Sequence, residues 1–236
     1  MSKPFDGQKT EGTHGFTVPN GEFIALEDVD RMCVYIGSVY DSAEKIQRFL
    51  GFLAMECVSH GMHGVAYAYF ARRPVLLEDA QAKADCLLKM GQTMEQAGDF
   101  EKALEHYTRA FDLPEGDDDT WYFLNNNRGY CLNVLGRYSE AEVFCRAAIE
   151  IDPDRYNAWK NFGISLQKQG EMEDAALSYC EATDRGPEDP RAFKLLEDLL
   201  MAHPELLDQN PVIKDRYGTC FALMRTAGGR RGPRVQ

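Results

Sequence analysis

Catalytic and metal chemistry needs nucleophiles, bases or ligands at spacings that converge, and few residues here offer that. Glu56 and His60 stand four apart and so share one face of a helix, with His63 close behind. Gly61 falls between the two histidines and ends the helix that would align all three, so no metal is expected there. Glu115, Asp117, Asp118 and Asp119 lack the Asp-x-Asp-x-Asp-Gly spacing of a calcium loop. Their expected role is to face the positive end of the next helix, with Asp119 or Thr120 as its cap. The sequence holds no G-x-x-x-x-G-K-S/T phosphate loop, no G-x-G-x-x-G after a strand and no H-E-x-x-H. Cys33, Cys57, Cys86, Cys131, Cys145, Cys180 and Cys220 form no C-x-x-C pair, which removes zinc-ribbon and thioredoxin readings. An odd count of cysteines, set mostly in helical patterns, suits small apolar residues in a reducing, cytoplasmic compartment. No catalytic residue, metal or cofactor is assigned, and the chain is expected not to be an enzyme.

The chemistry that remains is hydrogen bonding to another chain. Asn125-Asn126-Asn127-Arg128 puts four polar residues in one helical turn, so some must face inward or into a groove. Asn is a weak helix former, and its presence in bulk breaks a local rule where function is expected. A carboxamide both donates and accepts, so it can hold a peptide backbone. The candidate residues are Asn127 and Asn161, with Lys89 in the equivalent place, and around them Gln92, Asn126, Tyr130, Asn133, Asn157, Lys160, Ile164 and Gln167.

These residues are positioned by a repeat. Gly136 and Gly170 are 34 residues apart, and Gly98 precedes Gly136 by 38, the four extra residues matching the loop Gly116-Asp117-Asp118-Asp119. Residues 84–117 carry Leu87, Met90, Gly91, Met94, Ala103, Tyr107, Ala110 and Pro114. Residues 122–155 repeat this with Gly129, Leu132, Ala141, Cys145, Ala148 and Pro153. Residues 156–189 follow with Trp159, Phe162, Gly163, Leu166, Ala175, Tyr179, Ala182 and Pro187. The spacing predicts helix pairs. Small residues let two helices approach, large apolar ones fill the seam, and the glycines at 98, 136 and 170 end each first helix in the left-handed conformation. Asp99, Ser139 and the acids from Glu171 to Asp174 then open each second helix.

Over 84–189 the chain resembles the tetratricopeptide-repeat family, most closely in Trp159-x2-Phe162-Gly163-x2-Leu166…Ala175-x3-Tyr179…Pro187. Asn125 and Arg128 depart from the pattern, and the Arg128 stem is expected to lie along apolar surface. The resemblance implies an all-α, tetratricopeptide-type helix-pair solenoid with an N-terminal helical region and a C-terminal capping helix. It further implies that the slot shared by Lys89, Asn127 and Asn161 lines the concave face. Family members that clamp the acidic tails of heat-shock chaperones carry Lys-x3-Asn, Asn and Lys-x3-Arg in successive units. The matching slots here are Leu88 and Gln92, then Asn127, then Asn157 and Asn161, so only the middle Asn agrees.

The flanks complete the layout. Residues 1–22, with four glycines and two prolines up to position 21, are expected to lack fixed structure, and Met1 to Gly7 shows no apolar stretch of a signal peptide. Phe23, Ile24 and Leu26 suit a docking strip or a short strand, and 23–83 reads as a helical region with a break near Asp41-Ser42. A degenerate unit fits 47–80 through Leu50, Leu53, Ala54, Cys57, Gly61, Ala66 and Phe70, although the Gly61-Met62-His63-Gly64 turn is poor and Pro74 interrupts. Residues 190–224 are read as capping helices, the second one short and following Pro211, and 225–236 as a basic flexible tail.

The chain's 236 residues include 26 Lys and Arg against 38 Asp and Glu, a net charge of −12, so nucleic acid is not an expected partner. Hydrophobic residues at 44% are enough for a packed core, and no run is long enough for a membrane span. The expected partner is a protein or peptide segment in the concave groove. A bacterial secretion chaperone of the tetratricopeptide class shares this size, acidity and layout, and a homo-oligomeric scaffold is the other alternative. A net hydrogen bond is worth about 1 kcal/mol, so a few Asn contacts give roughly millimolar affinity. Leu88, Phe123, Tyr130 and Ile164 are therefore the expected apolar anchors. Replacing Asn127 and Asn161 together by Ala should weaken capture of the native partner by about 2 kcal/mol with the helical circular-dichroism signal intact. Unchanged capture would remove the groove.

Overall fold

The structure, a computed structural model, describes residues 6–10, 13–18, 22–73 and 77–229. The break assigned to Pro74 and the tail beyond 229 lie outside the described residues. The chain divides into two units, Met1–Gly116 and Asp117–Gln236. No helix among the described residues is long and apolar enough to cross a membrane.

The first unit opens on an antiparallel sheet of β1 (Asp6–Thr10), β2 (Thr13–Thr17) and β3 (Phe23–Ala25), in that order. Phe16 pairs with Ile24 and Gly15 with Ala25. For residues 6–10 and 13–17 this corrects the expectation that 1–22 lacks fixed structure. Glycine-rich composition argued for a loose segment, but Phe16, Val18, Ile24 and Leu26 are all buried, and their burial holds the strands in place. Five helices follow: α1 (Val29–Val39), α2 (Ala43–Ser59), α3 (His63–Ala71), α4 (Ala80–Gln96) and α5 (Phe100–Ala110). The expected break is real. Ser42 caps α2 by accepting from the Lys45 N–H at 3.3 Å. Tyr69 on α3 donates to the Leu26 carbonyl at 2.9 Å and ties the helices to the end of β3.

The second unit contains α6 (Asp118–Val134), α7 (Tyr138–Ile151), α8 (Tyr156–Gln169), α9 (Met172–Arg185), α10 (Arg191–Ala202), α11 (Glu205–Gln209) and α12 (Pro211–Gly229). Helices α6 and α7 form one pair and α8 and α9 the next, with α7 against α8. Both α10 and α12 pack on α9, so Leu196, Leu199, Ile213 and Cys220 join Tyr179 and Cys180 in one core. Helix α12 is longer than the short helix expected, because Ile213 and Cys220 anchor it through two turns and it then runs on to Gly229. The cap of α6 is Asp117, which accepts from the Thr120 N–H at 2.9 Å, rather than Asp119 or Thr120. Helix α7 starts at Tyr138 without a side-chain cap, and Ser139 instead donates to Gln169 Oε1 at 2.7 Å.

One turn geometry recurs in both units. Gly61, Gly98, Gly136 and Gly170 have φ of 72°, 80°, 77° and 92°. In each case the next N–H reaches back five residues to a helix carbonyl: Met62 to Cys57, Asp99 to Met94, Arg137 to Leu132 and Glu171 to Leu166, at 2.8 to 3.0 Å. The turn at Gly61, poor by its sequence, makes the same motif and joins α2 to α3 as a helix pair. Within pairs, a glycine in the first helix lets a side chain of the second lie on its backbone. A Cβ on Gly163 would sit 2.6 Å from the Tyr179 ring. That tyrosine donates to Gln167 Oε1 at 2.7 Å, and in the first unit Tyr107 repeats the bond to Glu95 at 2.7 Å. Gln167 is therefore occupied within its helix pair rather than offered to a groove.

Gly163→Ala should destabilise the protein by about 2 kcal/mol, because the ring has no free space to move into. Urea unfolding of the variant would measure this, and an unchanged midpoint would show that the helix pair can open at no cost.

Candidate functional site

Asparagines of α6 and α8 meet where the two helices run side by side. Asn161 Nδ2 donates to Asn126 Oδ1 at 3.0 Å, and Asn126 Nδ2 donates to Asn127 Oδ1 at 2.9 Å. Two turns further along α6, Asn133 Nδ2 donates to the Asn161 carbonyl at 2.8 Å. Ser165 Oγ lies 3.0 Å from Asn133 Oδ1 and 3.1 Å from the same carbonyl, and shares its single proton between them. Asn126, Asn133, Asn161 and Ser165 are all buried.

This alters the expected roles. Asn126, Asn133 and Asn161 were expected on an open groove wall, but they are polar ties between helices, closed off by their own packing. The 34-residue period places Asn161 in the slot of Asn127. It could not show that α6 and α8 come close enough for carboxamides to bond across the gap. Ser165 escaped the sequence reading, although a serine four residues after Asn161 on the seam side of α8 was the available signal. Asn125 is buried too and donates back to the Trp121 carbonyl at 2.9 Å, a local bond within α6.

What remains accessible is a strip along the same helices. Asn127 and Asn157 are half-buried, and Tyr130 is 38% exposed. Ile164 is half-buried and packs on the α9–α10 core, while Phe123 packs beside Tyr122, Ala148 and Ala158. Lys160 is half-buried, with Nζ 3.5 Å from Asn157 Oδ1 and no ion pair among the described residues. Burial and then the nearby Arg191 cation lower its pKa, with Asp189 opposing. Arg191 itself donates from Nε to Asp189 at 2.9 Å and holds that carboxyl well below the usual carboxylate range. Lys160 therefore carries a charge that burial penalises and no carboxylate directly answers, a place suited to an incoming acceptor.

Other candidates are placed differently. Lys89 and Gln92 belong to α4 of the first unit, where Lys89 Nζ donates to Gln92 Oε1 at 3.3 Å. Leu88, expected as an anchor, is buried and so cannot receive a guest. Arg128 behaves as expected: its guanidinium lies 4.0 Å from the centre of the Phe144 ring, with its stem along the seam. Among the described residues, no group of three His, Cys, Asp or Glu side chains is disposed to hold a metal ion.

A model of the tetratricopeptide repeat matches residues 124–155. The heat shock protein sti1 homolog of Schizosaccharomyces pombe is 31% identical over 122 residues, 50% of this chain and 18% of that protein. An uncharacterised protein of Methanocaldococcus jannaschii is 38% identical over 80 residues, 32% of this chain and 88% of that one. Among solved structures, MamA (41-end) from Desulfovibrio magneticus RS-1 superposes with a TM-score of 0.60 at 17% identity, covering 76% of this chain and 96% of that chain, a likeness of fold. The chain spans only 14%, 18% and 22% of the length of three curated relatives that it matches.

Asn133→Ala would remove two hydrogen bonds inside a closed seam, to the Asn161 carbonyl and from Ser165 Oγ, and leave Ser165 only its bond to that carbonyl. A loss of about 2 kcal/mol in stability follows from the two buried bonds removed. Chemical denaturation would register it, and an unshifted curve would mean that the carboxamide network adds nothing to the packing of α6 on α8.

Proposed function

Since the chain belongs to the tetratricopeptide-repeat family, we propose that it is a non-catalytic protein-interaction module that holds an extended protein segment along α6 and α8. The observation that carries this reading is the pairing of a rigid polar seam with an accessible strip. Asn126, Asn133, Asn161 and Ser165 lock the two helices together. Asn127, Asn157, Lys160 and Tyr130 then stand on a frame that needs no reordering when a guest arrives, which lowers the entropic cost of binding.

The division of labour is chemical. Asn157 and Asn127 can each accept from or donate to a guest's main chain. Lys160 would attract a carboxylate or carbonyl of the guest, and that contact also relieves a cation that burial disfavours. Tyr130 offers an apolar ring with a polar tip. Relatives include a heat shock protein sti1 homolog and the DnaJ homolog subfamily C member 7 homolog of Dictyostelium discoideum. Their names support a role among chaperone partners for this chain as well. The reducing, cytoplasmic setting inferred from the cysteines fits that role, since all seven are free thiols.

The test is capture of partners from the native cell, read by mass spectrometry, with the unaltered chain and an Asn127→Ala, Lys160→Glu variant. Both positions lie outside the buried seam bonds that Asn133 and Ser165 make, so the helical signal should persist. Loss of affinity by about 2 kcal/mol for a reproducible partner is expected. The reading fails if the variant retains the same partners at the same strength. A mass that rises with concentration and is indifferent to these changes would favour a homo-oligomeric scaffold instead.

A further inference from the structure

Helices α10 and α12 both rest on α9, and a cavity of about 500 Å³ is lined by residues of α10, α11 and α12. Its apolar lining includes two aromatic rings. Phe193 and Tyr217 face each other with ring centres 6.1 Å apart and planes only 3° from parallel. Phe221 stands 6.4 Å from the first ring and 6.2 Å from the second, so three rings form a triangle. Leu200 and Leu207 line the cavity as well. Met201, which also lines the cavity, is 73% exposed, and the Phe221 ring is also exposed.

The rim is charged. Glu197 and Asp198 line the cavity, and neither is in an ion pair among the described residues. Other acids of this unit are matched: Glu140 to Arg137, Glu142 to Arg146, Glu181 to Arg185, Asp184 to Arg216 and Asp189 to Arg191. Burial and then the Glu197 carboxylate raise the pKa of the Tyr217 hydroxyl. Lys194 is on the same rim, so two carboxylates and one ammonium leave a net negative mouth over an apolar, π-rich interior.

We propose that this cavity receives a basic side chain, an arginine or lysine, presented by a segment of another protein. Charge complementarity selects the occupant. An arginine has a methylene stem that suits Leu200, Leu207 and Met201, and a flat cation that stacks on aromatic faces. Its fork of donors matches the carboxylates of Glu197 and Asp198. An acidic segment would meet the rim with like charge, and a purely apolar one would leave both carboxylates desolvated without a partner. The site lies on the capping helices and is independent of the α6–α8 strip.

The test uses the full chain and three fluorescein-labelled peptides that differ only in a central Leu-Arg-Arg-Leu, Leu-Ala-Ala-Leu or Leu-Glu-Glu-Leu, followed by fluorescence anisotropy. The arginine peptide should bind, and the other two should bind more weakly by about tenfold or more. Because the whole chain is acidic, location is tested with matched variants. Glu197→Gln with Asp198→Asn should weaken the arginine peptide by roughly tenfold, whereas Glu150→Gln with Asp154→Asn, the same change in net charge elsewhere, should leave it unaltered. Lys194→Gln should tighten binding. These exposed or half-exposed charges can be removed without loss of the helical signal. Three results overturn the proposal: no binding of the arginine peptide, equal weakening by both acid pairs, or equal binding of all three peptides. A fourth is tighter binding after Arg230, Arg231 and Arg234 are changed to Ser, which would make the chain's own basic end the occupant.

Discussion

The structure depends on how closely two helices can approach when one of them lacks a side chain at the crossing point. At Gly91 the Tyr107 ring rests on the backbone of α4, at Gly129 the Cys145 sulfur does so on α6, and at Gly163 the Tyr179 ring does so on α8. Any Cβ at these three places would overlap the partner helix. The glycine weakens its own helix, since it loses more backbone freedom than alanine on ordering. The offset is dispersion and burial across a seam with no gap. The left-handed turns at Gly61, Gly98, Gly136 and Gly170 follow from the same requirement, because a chain must reverse within a few residues to lay its second helix on the first.

Close approach has a second effect in the unit from Asp117 onward. Helices α6 and α8 are near enough for polar side chains to bond across the space between them, and the sequence supplies carboxamides there instead of leucines. A buried carboxamide pair is weaker as glue than apolar packing but more particular, since each bond fixes direction and register. Asn161 shows the limit of the arrangement: its Nδ2 serves Asn126 and its carbonyl serves Asn133, while its Oδ1 is buried with no hydrogen-bond donor among the described residues. Such a group costs free energy where it stands. The seam therefore trades some stability for a fixed placement of Asn127, Asn157 and Lys160 beside it.

Charge follows a similar division between structural and available groups. Arg155 bridges to Asp152 and Asp119 while its guanidinium covers the Tyr122 ring at 4.6 Å and the Phe123 ring at 5.0 Å, so its charge is spent on holding α6 to α8. Arg185 in the same way pairs with Glu181 and covers Trp159 at 5.1 Å. Lys160, Glu197 and Asp198, by contrast, are among the charges of this unit that make no ion pair among the described residues. In a chain of net charge −12, an unanswered lysine on one face and unanswered acids at the cap give the second unit two chemically distinct surfaces.

Much of this was legible from residue order alone. The period at Gly98, Gly136 and Gly170, the alternation of small and large apolar residues, and caps such as Ser42 and Asp99 are local, and local rules identify them. The helix pairs and the close glycines followed from those signals. Three features did not. The sheet at 6–25 was hidden because glycine-rich strands read as loops until Phe16 and Ile24 find a buried face. The turn at Gly61 looked wrong in type but folds as the others do, since left-handed geometry needs only the glycine. Asn126, Asn133 and Asn161, expected on a groove wall, are buried between helices. Residue order determined that carboxamides would recur at 34-residue spacing on the first helices of the pairs. Only the tertiary structure decided that Asn126, Asn133 and Asn161 bond to one another, because the separation of two helices distant in sequence is set by packing and not by any residue's own preference.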